Sequence, residues 1–232
     1  MITLLSILLL GFFLGMRHAT DADHVVAVTN IVSRQGSIRS AAWTGIFWGI
    51  GHTLTLLVVG GSIIVFGLVI SEKLGLSLEL SVALMLIVLG VVNLNAAFGW
   101  FGDAGESGRR HAEENARLES WLGRFRMGRA LRPLLIGVVH GLAGSAAVAL
   151  LVLPLIRDTA GAFAYLLVFG AGTIAGMMLI TAAIALPMRY AAARSAVWHR
   201  AFGGLAGAMS CGFGAFLVYQ IGFVEKLFLT GP

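Results

Sequence analysis

The sequence predicts an all-α polytopic membrane protein that crosses the bilayer six times. Hydrophobic residues make up 58% of its 232 positions and charged residues only 12%, whereas a soluble chain carries about 25% charged residues. The charged residues are also concentrated in a few places, which leaves long apolar runs between them. A soluble fold could not bury so much apolar surface, so the runs are predicted to lie in lipid.

Six apolar segments are each long enough to cross a hydrocarbon core of about 30 Å as a helix rising about 1.5 Å per residue. The predicted spans cover residues 2–32, 41–70, 77–101, 133–156, 159–187 and 201–224. The first run lacks a preceding charged segment and a small-residue cleavage site, which is typical of a retained helix rather than a removed signal peptide. Residues 1–232 are therefore predicted to form a single membrane domain.

The distribution of basic residues predicts the orientation of the chain. Twelve of the sixteen Lys and Arg residues lie in the first, third and fifth connections between spans. Basic connections remain in the cytoplasm, so 102–132 is predicted to be a cytoplasmic loop and both termini to face outward from the cytoplasmic membrane. Because the positive charge lies in these connections and forms no separate stripe, we expect the lipid bilayer, and no nucleic acid, as its partner. A single cysteine, Cys211, excludes an internal disulfide and a thiol relay.

The two halves of the sequence resemble each other weakly. The matched pairs are Gly15 with Gly137, His18 with His140, Trp48 with Phe169, Gly49 with Gly170 and Gly51 with Gly172. These pairs predict a first three-helix repeat over 1–101 and a second over 133–232. Since each unit has three spans, the second would insert upside down, as in many secondary transporters. Chance similarity between two segments rich in Ala, Val, Leu and Gly is the alternative.

The first predicted span contains a dense group of ionisable side chains. They are Arg17, His18, Asp21, Asp23 and His24, with apolar sequence on both sides. A charge in mid-membrane costs from about 3 to more than 10 kcal/mol, so such groups persist where they pair or bind an ion. Imidazoles and carboxylates together suit divalent nickel, cobalt, copper or zinc, whereas oxygen ligands alone would suit magnesium or calcium. The alternative, a helix that ends in a polar loop at Arg17, would leave an apolar stretch of only about 21 Å.

An ideal helix places three of these side chains, His18, Asp21 and His24, on one face. Asp23 points away from that face. Either the helix is locally unwound and brings Asp23 in as a ligand, or Asp23 holds another span or a ligand imidazole. Arg17 can act as the charge partner that neutralises a carboxylate until a dication arrives.

Other spans supply further candidate ligands. His52 lies between small residues of the second span and is the best-placed additional ligand, although a histidine bonded to a neighbouring helix is the alternative. His140 and Ser145 occupy the repeat-related position in the fourth span, where they can line the opposite side of the cavity or pack into a glycine interface. Asn93 and Asn95 of the third span can offer amide oxygens or bond between helices.

Residues 17–24, Arg-His-Ala-Thr-Asp-Ala-Asp-His, resemble the signature of the nickel/cobalt transporter family, and residues 51–53, Gly-His-Thr, are similar to a second block of that family. The resemblance covers about the first 60 residues. It implies uptake of Ni²⁺ or Co²⁺ across the cytoplasmic membrane, with metal recognition by His18, Asp21, Asp23, His24 and His52. The family usually has eight spans, and a later acidic block of the family is replaced here by the segment from His140 to Ser145.

The predicted function is therefore a secondary transporter of a transition-metal dication, most simply a nickel or cobalt permease that takes up the ion as its substrate. A metal efflux permease uses the same ligands and is an alternative. An intramembrane metalloenzyme is another, with Zn²⁺ held by His18, His24 and a carboxylate. The chain lacks the zinc-protease spacing His-Glu-x-x-His and the P-loop of ATPases. We expect no enzyme activity and no resident cofactor.

Overall fold

The computed structural model describes residues 4–33, 37–68, 71–98, 128–142, 156 and 158–228, and the described part is helical without a strand. Its α-helices are α1 (Leu4–His18), α2 (Ala22–Val32), α3 (Ile38–Phe66), α4 (Glu72–Phe98), α5 (Gly128–Gly141), α6 (Thr159–Arg194) and α7 (Ala196–Tyr219), followed by a π-helical turn, Gln220–Val224. The predicted all-α membrane fold is confirmed.

Four of the described helices are long and apolar enough to cross a membrane, namely α3, α4, α6 and the segment Arg200–Val224, which includes most of α7. Helices α1 and α2 pass the same test together as a bent pair, which gives a fifth span if the pair crosses the membrane as one segment. The fourth predicted span, 133–156, is represented by α5, and most of its second half lies outside the described residues. The count of six spans therefore stays a prediction. Helix α5 begins at Gly128, within the predicted loop 102–132, and the loop itself stays a prediction.

The first predicted span is not one continuous helix, and this corrects the ideal-helix interpretation of its polar face. Helix α1 ends at His18, α2 begins at Ala22, and the two axes differ by 55°. The intervening turn is held by backbone bonds from Thr20 N to Arg17 O and from Asp21 N to His18 O. The Thr20 hydroxyl also donates to Arg17 O. This three-residue break changes the direction in which Asp23 points relative to His18.

The helices approach one another through glycines at which a side chain would collide with a neighbouring backbone. A Cβ atom at Gly15 of α1 would meet the Phe169 carbonyl of α6, and one at Gly137 of α5 would meet the Trp48 carbonyl of α3. Without a side chain, each pair of backbones can pack closely, as is common between membrane helices.

These glycine contacts are reciprocal between the two halves of the chain. The predicted repeat aligns Gly15 with Gly137 and Trp48 with Phe169. The contact of Gly15 with Phe169 therefore corresponds to the contact of Gly137 with Trp48. A second pair of contacts corresponds in the same way. A Cβ atom at Gly51 would collide with the Leu134 carbonyl, and one at Gly172 would collide with the Phe12 carbonyl. An inverted repeat predicts this reciprocity, and the repeat itself stays a prediction.

The outer surface of the bundle carries many large apolar side chains, as expected of helices that face lipid. Leu5, Phe13, Val58 and Val88 are each at least 60% exposed. The interior contains buried aromatic residues, with Trp48, Tyr165 and Phe169 fully buried. Cys211 packs against Gly90 between α7 and α4, as a small apolar residue would.

Candidate metal centre

Four histidines from four helices converge in the interior of the bundle. They are His18 at the end of α1, His24 in the first turn of α2, His52 in the middle of α3 and His140 near the end of α5. All four are at most 3% exposed. His24 is at the centre of the group, since its ring centroid lies 4.7 Å from that of His18, 5.3 Å from His52 and 4.3 Å from His140. Because imidazoles are polar and protonatable, burying four of them together is costly unless hydrogen bonds or a bound ion compensate.

Two carboxylates orient three of these rings. Asp21 Oδ2 lies 2.8 Å from His18 Nδ1, and Asp23 Oδ1 lies 3.2 Å from His24 Nδ1. Asp23 also bridges to the second half of the chain, because its Oδ2 is 2.9 Å from His140 Nε2. When a carboxylate accepts a hydrogen bond from one ring N–H, the other ring nitrogen carries the lone pair. Metal-binding histidines are usually held in this tautomer and orientation. The aspartates therefore direct His18 Nε2 and His24 Nε2 toward the interior.

Several ring nitrogens in the group have no protein partner. His24 Nε2, His52 Nδ1 and His140 Nδ1 are buried without a hydrogen-bond partner among the described residues. An unsatisfied buried polar atom costs about 1 to 3 kcal/mol. A bound cation would satisfy the lone pair of His24 Nε2, which lies on the central ring of the group, so this atom points to a binding site.

The spacing of the donor atoms fits a transition-metal dication. His18 Nε2 and His52 Nε2 are 3.1 Å apart. An ion about 2.1 Å from each of two nitrogens holds them about 3.0 to 3.4 Å apart. Two groups of three residues bring one donor atom each to within 4.8 Å of one another: His18 with His24 and His52, and Asp23 with His24 and His140.

The charge of the site also fits a dication. With neutral imidazoles, the two aspartates give the group a formal charge of minus two. The C-terminal ends of α1 and α5, which carry His18 and His140, add the negative ends of two helix dipoles. Asp21 at the N-cap position of α2 and Asp23 in its first turn lie at the positive end of that helix. The two carboxylates and the two helix C-termini therefore favour the binding of a cation.

The aspartates also connect the buried rings to the exterior of the protein. The Asp21 side chain is 42% exposed and the Asp23 side chain 16% exposed, whereas the side chain of His18 is 1% exposed. Asp21 is thus the more exposed of the two carboxylates. Arg17, the predicted charge partner, is exposed and makes no salt bridge with either carboxylate. The carboxylates are paired with imidazoles instead.

Of the other predicted residues, Asn93 takes part in a contact between helices. The Asn93 amide donates to Asn30 and to Ser33 Oγ, with Nδ2 to Oδ1 and Nδ2 to Oγ distances of 2.6 and 3.0 Å, and so it bonds between α4 and α2. This geometry favours the inter-helix alternative for Asn93. Asn95 lies on the same helix two residues later. Ser145 lies outside the described residues.

Two aromatic residues at the site were not predicted from the sequence. The Trp48 ring lies 6.2 Å from the His24 ring and 5.5 Å from the His140 ring, and the Phe169 ring lies 5.7 Å from His18. Trp48 is one helical turn before His52, which is the signal that could have identified it. Trp48 with His140 and Phe169 with His18 are again repeat-related pairs. Both rings pack against the imidazoles of the group.

The fold and this centre define a multi-pass membrane protein with a buried group of side chains that could hold a metal cation. The model of the NicO family, described as high-affinity nickel-transport protein, matches residues 4–230. The chain therefore belongs to the NicO family, which confirms the resemblance drawn from residues 17–24. No solved structure is significantly similar to the chain.

Three relatives illustrate the range of the family. The urease accessory protein UreH of Bacillus sp. (strain TB-90) is 36% identical over 231 residues, which cover 98% of this chain and 96% of that protein. The hydrogenase nickel incorporation protein HupN of Bradyrhizobium diazoefficiens is 35% identical over 119 residues, or 45% of this chain and 30% of the relative. A high-affinity nickel transport protein of Cupriavidus necator is 30% identical over 99 residues, or 39% of this chain and 28% of the relative.

Proposed function

We propose that the protein is a nickel uptake permease of the cytoplasmic membrane and that its substrate ion binds at the histidine and aspartate group described above. The observation that carries the proposal is the convergence of four buried imidazoles and two aspartates at a break in a membrane-spanning helix. The family description and the names of two relatives support nickel as the substrate. Cobalt has the same ligand preferences, so we propose it as a second substrate.

The residues have separate tasks in this proposal. Asp21, the most exposed member, attracts the hydrated ion and holds the His18 ring through Nδ1. His18, His24 and His52 replace water molecules of the ion with imidazole nitrogens. Asp23 links His24 to His140 and so joins the two halves of the chain at the site. Because the ligands come from four different helices, small helix movements can open the site to one side of the membrane or the other.

An intramembrane metalloenzyme has less support than a transporter. A catalytic metal site needs an open coordination position and a free general base. In this group Asp21 is within hydrogen-bond distance of His18, and Asp23 is within that distance of both His24 and His140. The carboxylates are therefore already used for orienting rings. We propose that the protein has no enzyme activity.

Uptake of labelled nickel by intact cells tests this function. We expect cells that produce the protein to accumulate nickel well above cells without it, and cells that produce His18→Ala to accumulate no more than the background. Excess unlabelled cobalt should compete, whereas excess magnesium should not, because magnesium prefers oxygen ligands. Nickel uptake by His18→Ala at the wild-type rate, with equal protein levels, would contradict the proposed site.

The proposed orientation has its own test, since uptake depends on which side each connection occupies. Both termini should face outward and residues 102–132 should lie in the cytoplasm, as the distribution of basic residues predicts. A Ser107→Cys change in a Cys211→Ala background should react with a membrane-impermeant thiol reagent only after the cells are permeabilised. Labelling in intact cells would show that the orientation is reversed.

A further inference from the structure

We infer that the permease holds its nickel ion in two alternative, overlapping positions and that His24 is a ligand in both. The first position is formed by His18, His24 and His52, and the second by Asp23, His24 and His140. This inference rests on the proposed function and deepens it, because it states how the ion moves from one half of the chain to the other.

The ring contacts show that His24 is the shared member. The His24 ring contacts those of His18, His52 and His140. Within the part of the chain that the structure describes, His140 makes no ring contact with His18 or His52. Neither of the two groups of closely spaced donor atoms contains His140 together with His18 or His52. The two groups therefore share His24 alone.

Each position contains a closely spaced, hydrogen-bonded pair of donor atoms, and an ion that binds between them displaces the shared proton to solvent. His18 Nε2 and His52 Nε2 are 3.1 Å apart in the first position, and Asp23 Oδ2 and His140 Nε2 are 2.9 Å apart in the second. His24 Nε2 is buried and has no hydrogen-bond partner among the described residues, so it remains available to an ion. This nitrogen on the central ring is the independent observation that points to an ion at His24, and the sharing follows from the presence of His24 in both groups.

The two positions belong to different parts of the fold. The first uses α1, α2 and α3 alone, whereas the second requires His140 of α5. An ion that moves between them keeps its bond to His24 while it exchanges the other two ligands. Bare nickel is then never released into the low-dielectric interior, where an uncompensated charge would be very costly. Since His24 is shared, only one ion binds at a time.

Nickel X-ray absorption of purified variants tests the two positions, because outer-shell scattering counts the imidazoles bound to the metal. In His140→Gln the ion should occupy the first position and show three imidazoles. In His52→Gln it should occupy the second position and show two. A single site built from all four rings would instead show three imidazoles in both variants, so three in His52→Gln would overturn the inference.

Flux and stoichiometry supply the second part of the test. Wild-type protein should bind one nickel per chain by titration calorimetry, and two ions per chain would overturn the shared ligand. Both variants should keep nickel binding but lose nickel flux into proteoliposomes by about tenfold or more, with His199→Gln near the start of α7 as the matched control. Wild-type flux in His140→Gln would also overturn the inference.

The test separates this inference from the proposed function. Absence of nickel flux in the wild type would contradict the proposed permease function. The number of imidazoles bound to nickel tests the two positions independently of transport, because it is measured on binding alone. If His52→Gln does not yield folded protein, His18→Gln replaces it, because it removes a ligand from the same position and should also show two imidazoles.

Discussion

His24→Ala should abolish nickel binding by the purified protein, with a loss of affinity of about 100-fold or more, and it is expected to be the most damaging single substitution at the site. His24 is fully buried and its ring contacts those of the other three histidines. Its removal takes away a ligand and leaves Asp23 without one of its two imidazole partners. Both losses weaken cation binding. Titration calorimetry with nickel measures the effect directly.

His199→Ala is the matched control, because it removes an imidazole near the start of α7, a helix that carries none of the proposed ligands. It should bind nickel as the wild type does. Comparable elution on size exclusion would show that both variants are folded. Nickel affinity of His24→Ala within about threefold of the wild type would remove His24 from the site.

Gly137→Ala should cause a large loss of stability and, with it, of nickel binding. A Cβ atom at Gly137 would collide with the Trp48 carbonyl, and the backbone of two packed helices cannot move aside cheaply. Overpacking of this kind costs about 1 to 3 kcal/mol or more. Because the Trp48 ring contacts both His24 and His140, a shift of α3 relative to α5 also displaces the ligands.

The matched control is Gly212→Ala on α7, where an added Cβ atom has nothing within 4 Å. Thermal unfolding in detergent, followed by circular dichroism, should show a lowered midpoint for Gly137→Ala and an unchanged or slightly raised midpoint for Gly212→Ala, since alanine favours helices. Gly15→Ala should resemble Gly137→Ala, because the Phe169 carbonyl blocks its Cβ position. Equal midpoints for Gly137→Ala and Gly212→Ala would contradict the close packing.

The ionisable residues of the first span were predictable from the sequence, whereas the break between α1 and α2 was one of two alternatives that the sequence left open. Their cost in lipid made a buried site the favoured interpretation of residues 17–24. No glycine or proline marks the turn at residues 19–21, and so the apolar pattern on both sides favoured a continuous helix. That assumption placed Asp23 on the wrong face. The structure shows it between His24 and His140.

The participation of His140 illustrates the limit of sequence patterns for long-range contacts. The repeat alignment placed His140 opposite His18, but packing into a glycine interface was an equal alternative. The structure brings its Nε2 within 2.9 Å of Asp23, 117 positions earlier in the chain. Such a contact depends on how α5 packs against α3 through Gly137 and Gly141, which periodicity within one helix does not encode.

The most direct test of the central claim is nickel flux into proteoliposomes that contain only the purified protein, followed with a nickel-sensitive dye trapped inside. We predict that an inward nickel gradient quenches the dye faster in wild-type vesicles than in protein-free vesicles, and that His18→Ala vesicles match the protein-free ones. Equal quenching rates for wild type and His18→Ala, or no wild-type flux from correctly folded protein, would contradict the claim that this site carries nickel across the membrane.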